Sequence, residues 1–148
     1  MRPGSLALLL LAFVATPACA HGTPASAAPK ARAMAIQSTV KAPATVRELP
    51  PAEAAKFLAA NANAQFVDVR NADEYATVHA KGTVLKPLPD LANWAGSLSK
   101  TAPVVLICHS GRRSLMAANS LAERGFTTLI SVSGGTSAWV GAGLPTEK

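Results

Sequence analysis

The fold is decided by the stretch from Val104 to Ser114, which reads VVLICHSGRRS. Its four consecutive apolar residues, Val104 to Ile107, are typical of a β-strand buried on both faces of a parallel sheet. The glycine and two arginines that follow indicate a loop, and a helical pattern then extends from Leu115 to Arg124. Ligands of such sheets bind at the carboxyl ends of the strands, and Cys108 lies at one of these ends.

Strand and helix signals alternate on both sides of this stretch. The other predicted strands are Gln65–Arg70, Thr83–Leu85 and Thr127–Val132. The other predicted helices are Ala52–Ala60, one that begins after the cap residue Asn71, Asp90–Leu98 and Thr136–Val140, with turns at Gly125 and Gly134-Gly135. This alternation predicts a three-layer α/β domain, with a central, mainly parallel sheet flanked by helices.

The composition excludes several classes of protein. Of the 148 residues, 49% are hydrophobic, which is enough for a core and too many for a wholly disordered chain. Two cysteines cannot build a disulfide-dense scaffold, and the apolar stretches are too short for a multi-span membrane protein. The net charge of +6 comes from scattered basic residues without interleaved aromatic residues, so nucleic-acid binding is not expected.

Residues 1–20 are predicted to form a secretory signal peptide. Arg2 supplies a positive charge, and the apolar segment Leu6 to Val14 is shorter than the roughly 20 residues of a membrane span. Pro17 ends this segment, and Ala18-Cys19-Ala20 forms an A-x-A cleavage pattern. Cleavage after Ala20 would give a periplasmic or secreted protein without a transmembrane domain.

Two alternatives remain open for this segment. It could stay uncleaved as an N-terminal anchor, or Cys19 could be acylated as in a lipoprotein. Thr16 and Pro17 argue against acylation, because a lipoprotein signal prefers Leu or Val three residues before the cysteine.

Residues 21–45 are predicted to form a flexible linker. They are rich in Ala, Pro, Ser and Thr and can bury little apolar surface. The folded domain is therefore expected over residues 46–148. If the signal is cleaved, Cys108 is the cysteine that the mature chain keeps, and an internal disulfide is excluded. A single thiol of this kind is either a small buried hydrophobe or a reactive group.

The loop that follows Cys108 favours a reactive thiol. Its backbone N–H groups precede a helix and can form a nest for an anion, for which Gly111 allows the necessary backbone angles. Arg112 and Arg113 add positive charge, and His109 can add part of another. We therefore expect the pKa of the Cys108 thiol to lie below its usual range. A helix terminus contributes only about 0.3–1 kcal/mol to such a shift, so loop amides and arginine charge must supply the rest.

Four stretches of the chain form a recognisable pattern in a fixed order. These are Phe66–Arg70 (FVDVR) with Glu74-Tyr75, His79–Leu88 (HAKGTVLKPL), Cys108–Ser114 (CHSGRRS) and Gly134–Trp139 (GGTSAW). Together they resemble the rhodanese-domain sulfurtransferases, over residues 46–144. In that family's active-site loop, four residues separate the cysteine from an arginine, and a small hydroxyl residue follows. Val78, Lys81 and Thr83 depart from the family's frequent residues, all outside the loop.

The resemblance implies a single rhodanese domain that transfers sulfur through a persulfide on Cys108. The thiolate would take the outer sulfur of thiosulfate or another small anionic donor, and a thiol, cyanide or a protein acceptor would remove it. The resemblance places the donor-binding residues in the loop: His109, Ser110, Gly111, Arg112, Arg113 and Ser114.

Within the loop, the resemblance implies that Arg112 and His109 bind or steer the donor, and that Arg113 contributes to the electrostatics of the loop. Neither a cofactor nor a metal is expected. The three histidines show no metal-ligand spacing with Cys108.

Two other functions remain open. A phosphatase or arsenate reductase of related fold would need five residues between the cysteine and the arginine, and Ser114 stands where that arginine would be. A sulfur-carrier or binding module would also form the persulfide, but only with a partner's donor and with little turnover alone.

Three charged residues near strand ends are interpreted as structural support. Asp68 is expected to accept hydrogen bonds from backbone amides near the loop, and Arg70 is expected to pair with Glu74. His79 is interpreted as a hydrogen-bonded structural histidine, and Trp139 as part of the core or of a pocket wall.

Overall fold

A computed structural model describes residues 43–148. The predicted signal peptide, Cys19 and nearly all of the predicted linker lie outside the described residues; Thr45, the last residue of that linker, is the first residue of a strand. The strands are β1 (Thr45–Leu49), β2 (Gln65–Asp68), β3 (His79–Ala80), β4 (Val84–Leu85), β5 (Val104–Ile107), β6 (Thr128–Val132) and β7 (Thr146–Glu147). The helices are α1 (Pro51–Ala60), α2 (Ala72–Thr77), α3 (Leu91–Trp94), α4 (Arg112–Glu123) and α5 (Gly135–Gly141).

Five of the strands form a parallel sheet in the order β1-β6-β5-β2-β4. Strand β5 is at its centre, and all four of its residues are buried, as their unbroken apolar run predicts. Strands β3 and β7 form a separate antiparallel pair. The predicted α/β fold with a mainly parallel sheet is confirmed.

Helices cover both faces of the parallel sheet. On one face, Leu106 of β5 and Leu129 of β6 pack with residues of α3 and α4. On the other face, Val105, Ile107 and Ile130 pack with Ala54 of α1 and Trp139 of α5. The three layers follow from the alternation of side chains along each strand.

Several elements differ from the sequence prediction. Strand β1 was not predicted, because its residues TVREL are mostly exposed and include charges. The helix predicted over Asp90–Leu98 is a 3₁₀ turn at Leu88–Asp90, the short α3 and a second 3₁₀ turn at Ala95–Ser97. Helix α4 begins three residues before Leu115, because its polar first turn carries no apolar periodicity.

The sheet brings the charged residues after β2 and the loop after β5 to the same edge. Strands β2 and β5 are parallel neighbours, and Asp68 is in register with Ile107. The segment after β2 therefore lies beside Cys108, at the carboxyl edge where ligands of such sheets bind. Within residues 43–148, no helix is long and apolar enough to cross a membrane.

Candidate active site

Cys108 lies at the base of the loop between β5 and α4. Cys108 is buried, with 1% of its surface exposed to solvent. The Sγ atom accepts a hydrogen bond from the backbone N–H of Gly111 at 3.1 Å, and the Ser114 hydroxyl donates to it across 3.6 Å. The thiol is thus surrounded by donors, as a group that works in its anionic form requires.

Two opposing effects act on the pKa of the Cys108 thiol. Burial raises the pKa because it removes water from the thiolate, but hydrogen bonds outweigh this effect and the net pKa is lowered. The hydrogen bonds come from the Ser114 hydroxyl and from the backbone N–H groups of Ser114, Ser110 and Gly111. The predicted lowering of the pKa of the Cys108 thiol is confirmed. The Ser114 hydroxyl adds a contribution that the sequence prediction had not assigned.

The close packing of the loop against the start of α5 depends on glycines. Gly111 has a φ of +96°, and a Cβ there would lie 3.2 Å from the Gly134 nitrogen. Gly135 has a φ of +58°, and a Cβ there would overlap the carbonyl groups of Cys108 and His109. Only glycine fits these two backbone positions without displacing the loop.

Backbone hydrogen bonds fix the loop to α5 at this contact. The Thr136 N–H donates to the Cys108 carbonyl at 2.7 Å, and the Ser137 N–H donates to the His109 carbonyl at 3.2 Å. The Gly134-Gly135 turn was predicted from the sequence, but its role in holding the loop was not.

Arg113 forms an ion pair that the sequence did not predict. Its Nη1 and Nη2 atoms donate to Glu74 Oε2 and Oε1, both at 2.7 Å. The Arg113 hydrogen bond, opposed in part by burial, lowers the pKa of Glu74 to about 2. Glu74 also accepts from the Asn71 N–H at 3.3 Å, in the capping box of α2. Arg113 therefore ties the loop to α2, and Glu74 balances its charge.

The predicted pair between Arg70 and Glu74 is wrong. Arg70 is 3% exposed and bonds to the fully buried Asp68, with Nη2 to Oδ2 at 2.7 Å and Nε to both carboxylate oxygens. Asp68 also accepts the backbone N–H of Arg70 at 3.0 Å, so the amide that it binds is in its own segment. Arg70 Nη2 further donates to the Val78 carbonyl. Both Asp68 and Glu74 are near Arg70 in the sequence, and spacing alone does not show which of the two carboxylates it binds.

The outer side of the loop is open to solvent. Ser110 and Arg112 are exposed, and together with Arg113 and Met116 they line a pocket of about 290 Å³. His109 is also exposed, with Nε2 3.5 Å from the Ser137 hydroxyl. It lines a second pocket, of about 310 Å³, with Arg70, Glu74, Thr77 and Val78. The structure therefore places Arg112 and His109 on the solvent-exposed side of the loop, each lining a pocket.

Ser131 belongs to the site but was not predicted. It lies in β6 between buried apolar residues and is 0% exposed. Its hydroxyl is 2.9 Å from that of Ser114 and 3.5 Å from the Gly111 carbonyl oxygen, and it can donate its proton to either. The signal that could have revealed it is a polar residue within a buried strand, since such a group needs a hydrogen-bond partner.

Among residues 43–148, no group of three or more His, Cys, Asp or Glu side chains could hold a metal ion. His79 accordingly has structural contacts: its Nδ1 lies 2.9 Å from the Tyr75 carbonyl oxygen, and its ring stacks on that of Tyr75.

A comparison with known families covers most of this domain. Residues 50–142, which include strands β2, β4, β5 and β6 of the parallel sheet and the Cys108 loop, match the family described as the rhodanese-like domain. The chain belongs to the rhodanese-like family. The resemblance inferred from the four sequence stretches is therefore confirmed.

Curated rhodanese-like relatives match at modest identity. The chain is 31% identical over 103 residues to the thiosulfate sulfurtransferase GlpE of Actinobacillus pleuropneumoniae serotype 3, covering 70% of this chain and 94% of that protein. It is 40% identical over 75 residues to YrkF of Bacillus subtilis, which is named as a candidate sulfur carrier protein. That match covers 51% of this chain and only 40% of the Bacillus protein.

Solved rhodanese-like structures share the fold. A rhodanese-related protein from Thermoplasma volcanium superposes with a TM-score of 0.62 at 23% identity, covering 68% of this chain and 97% of that one. A thiosulfate sulfurtransferase from Pseudomonas aeruginosa gives the same TM-score at 28% identity, over 69% of this chain and 20% of that one. These matches support membership of the rhodanese sulfurtransferase family in the general sense.

Proposed function

We propose that this domain is a thiosulfate sulfurtransferase in which Cys108 carries the sulfur as a persulfide. The observation that carries the proposal is the surroundings of the Cys108 sulfur. Amide and hydroxyl donors converge on it, the pKa of its thiol is lowered, and exposed arginine and histidine side chains stand at the openings beside it. The relatives named thiosulfate sulfurtransferase support the choice of donor.

The first step is attack of the Cys108 thiolate on the outer sulfur of thiosulfate. A bond forms between Sγ and that sulfur, the sulfur–sulfur bond of thiosulfate breaks, and its electron pair leaves with sulfite. In the second step, cyanide or a thiolate attacks the outer sulfur of the persulfide. The electron pair of the persulfide bond returns to Sγ, and the thiolate is restored.

The loop stabilises the negative charge on sulfur in both steps. The Gly111 N–H already donates to Sγ, and the Ser114 hydroxyl lies 3.6 Å from it, so both donors are close to the sulfur as the thiolate forms. Exposed Arg112 lies at the mouth of the neighbouring pocket and would attract the anionic donor, with His109 at the other opening.

A second candidate is a partner-dependent sulfur carrier. It is favoured by the match to the Bacillus protein that is named as a candidate carrier, and by the burial of the Cys108 residue, which limits access to small or well-fitted acceptors. Such a module would hold a persulfide but turn over slowly with small molecules.

We also propose that the domain is exported. This proposal rests on the sequence of residues 1–20, which lie outside the described residues, with cleavage near Ala20 and the lipoprotein alternative at Cys19. The N-terminal residue and mass of the protein purified from its native host would distinguish a cleaved, an acylated and an uncleaved chain.

The function is tested by the intact mass of the purified protein. Thiosulfate should add the mass of one sulfur atom, and subsequent cyanide should remove it and yield thiocyanate. Cys108→Ser should show neither change, while Ser120→Ala, a control in the same helix α4, should show both.

Three other outcomes are informative. A stable persulfide that forms with a partner's donor, together with little turnover of thiosulfate and cyanide, would favour the carrier module. Absence of the adduct on a free, alkylatable thiol would contradict the proposal, and hydrolysis of a phosphate ester would then favour phosphatase chemistry.

A further inference from the structure

Two buried hydroxyl groups lie behind the Cys108 sulfur, one on each of two elements. Ser114 is in the first turn of α4, and Ser131 is in β6; both are 0% exposed. Their oxygens are 2.9 Å apart, and each hydroxyl is also placed to donate to the carbonyl oxygen of Gly111, at 2.9 Å and 3.5 Å respectively. Of the two, Ser114 is the hydroxyl that can donate to Sγ, at 3.6 Å.

The number of acceptors and protons limits how these groups can be arranged. The Gly111 carbonyl oxygen has two lone pairs, and one of them accepts the Leu115 N–H at 3.1 Å. Its second lone pair and the Cys108 sulfur both compete for the single proton of Ser114. Without Ser131, that proton has to be shared between the carbonyl and the sulfur, and the carbonyl is the closer acceptor.

We propose that Ser131 is a positioning residue that directs the hydroxyl proton of Ser114 to the Cys108 sulfur. When Ser131 donates to the Gly111 carbonyl, it replaces Ser114 there and leaves the Ser114 proton for Sγ. When Ser131 donates to the Ser114 oxygen, it polarises that hydroxyl and makes it a stronger donor. Both arrangements strengthen the same bond to sulfur.

A third arrangement, in which Ser114 donates to Ser131, leaves the sulfur without the hydroxyl proton. Negative charge on Sγ disfavours this arrangement, because hydrogen bonds to a charged acceptor are stronger than those between neutral groups. Formation of the thiolate therefore selects the arrangements in which Ser131 supports Ser114.

The position of Ser131 in the sheet fits this role. Ser131 is in register with Leu106 of β5, the strand that leads to Cys108. Leu129, two residues earlier in β6, and Leu106 pack in the apolar core on one face of the sheet, so an apolar residue would be expected at this position if packing alone decided it.

A double-mutant cycle on the rate of alkylation of Cys108 against pH tests the proposal. Ser131→Ala should shift the alkylation profile to higher pH and slow the reaction at pH 7 by about threefold. In a Ser114→Ala background the same substitution should have no effect, because Ser131 acts through Ser114. An equal shift in both backgrounds, or no shift in either, would overturn the proposal.

Two controls separate this role from a loss of stability. Thr83→Val removes another buried hydroxyl, which bonds to the Ala80 carbonyl, and should leave the profile unchanged. Ser131→Thr keeps the hydroxyl and should restore the wild-type profile; if its extra methyl group prevents folding, the cycle alone decides.

The proposal rests on the proposed function only in requiring Cys108 to act as a thiolate. Alkylation measures the thiolate directly, whereas sulfur loading is measured by mass. Failure of the Ser131 proposal therefore leaves sulfur transfer intact, and failure of sulfur loading leaves the alkylation result valid.

Discussion

Arg113 and Glu74 are joined by two hydrogen bonds of 2.7 Å, one from each terminal nitrogen of the guanidinium to each carboxylate oxygen. The two residues are 39 positions apart, and the pair links the first turn of α4 to α2. About a third of each side chain is exposed. The residue that closes the active-site loop is thus held from outside the loop, by helix α2.

Glu74→Gln should make the free energy of unfolding less sensitive to a fall in pH. The hydrogen bond from Arg113 lowers the folded-state pKa of Glu74 to about 2. The ion pair therefore contributes fully to the free energy of unfolding above the ordinary glutamate pKa of about 4.3. It is lost as the pH falls from there toward 2. After allowance for solvent screening, wild type should lose about 1 kcal/mol more stability than the variant over this range. Urea unfolding from pH 6 to 2 measures this difference.

The control for this experiment is Asp73→Asn. Asp73 is exposed in the same first turn of α2, and its carboxylate forms no bond to Arg113. Its variant should keep the wild-type acid dependence. If Glu74→Gln and Asp73→Asn behaved alike, the ion pair would have no role in stability.

Ser114→Ala should make the Cys108 thiol less reactive at neutral pH. Burial raises the pKa of this thiol, and the Ser114 hydroxyl is the largest of the effects that lower it. Removing the hydroxyl raises the pKa, so the alkylation profile moves to higher pH and the rate at pH 7 falls by about fivefold. Ser120→Ala in the same helix should leave the profile in place, and a matching shift there would contradict this assignment.

Arg112→Ala should weaken thiosulfate binding more than it slows the chemistry. Arg112 is exposed beside the loop, so its loss should raise KM about fivefold, with kcat nearly unchanged. Arg124→Ala makes the same change in net charge after the other end of α4 and serves as the control. Equal KM values for the two variants would show that overall charge, rather than the position of Arg112, attracts the donor.

Gly135→Ala should disrupt the loop more than a substitution at Gly143, which also has a positive φ. Gly143→Ala meets no atom within 4 Å and should cost only the strain of its φ of +66°, about 1–2 kcal/mol. At Gly135 the added Cβ also overlaps the carbonyls of Cys108 and His109, so the loss should reach about 3 kcal/mol or more. Thermal unfolding compares the two variants, and equal losses would argue against a close contact at Gly135.

The central part of the fold could be predicted because short, local sequence patterns determine its strands and helix starts. Val104–Ile107 form a strand because four apolar residues in sequence must be buried on both faces, and Asn71 with Glu74 marks a helix start. Strand β1 escaped prediction because it is at the edge of the sheet and largely exposed. Strands β3 and β7 are two residues each, too short for any periodicity to show.

The site could be predicted only as far as its residues are consecutive. Cys108 and its loop were identified from one stretch, whereas the partner of Arg113 depends on which segments the fold brings together. Glu74 was assigned to Arg70, four residues away, and instead binds Arg113. Ser131 carries no motif, and its role follows only from its 2.9 Å distance to Ser114.

The anchoring of the loop by α5 also sets the direction of the electric field that the sulfur experiences. A trans peptide group is planar and rigid, and its C=O and N–H bonds point in opposite directions. The Ser137 N–H fixes the His109 carbonyl. The Ser110 N–H of the same peptide group is therefore turned toward Cys108, and it lowers the pKa of the thiol. Helix α5 thus orients this peptide dipole with its positive end toward the sulfur, and a change in α5 can alter the chemistry of Cys108.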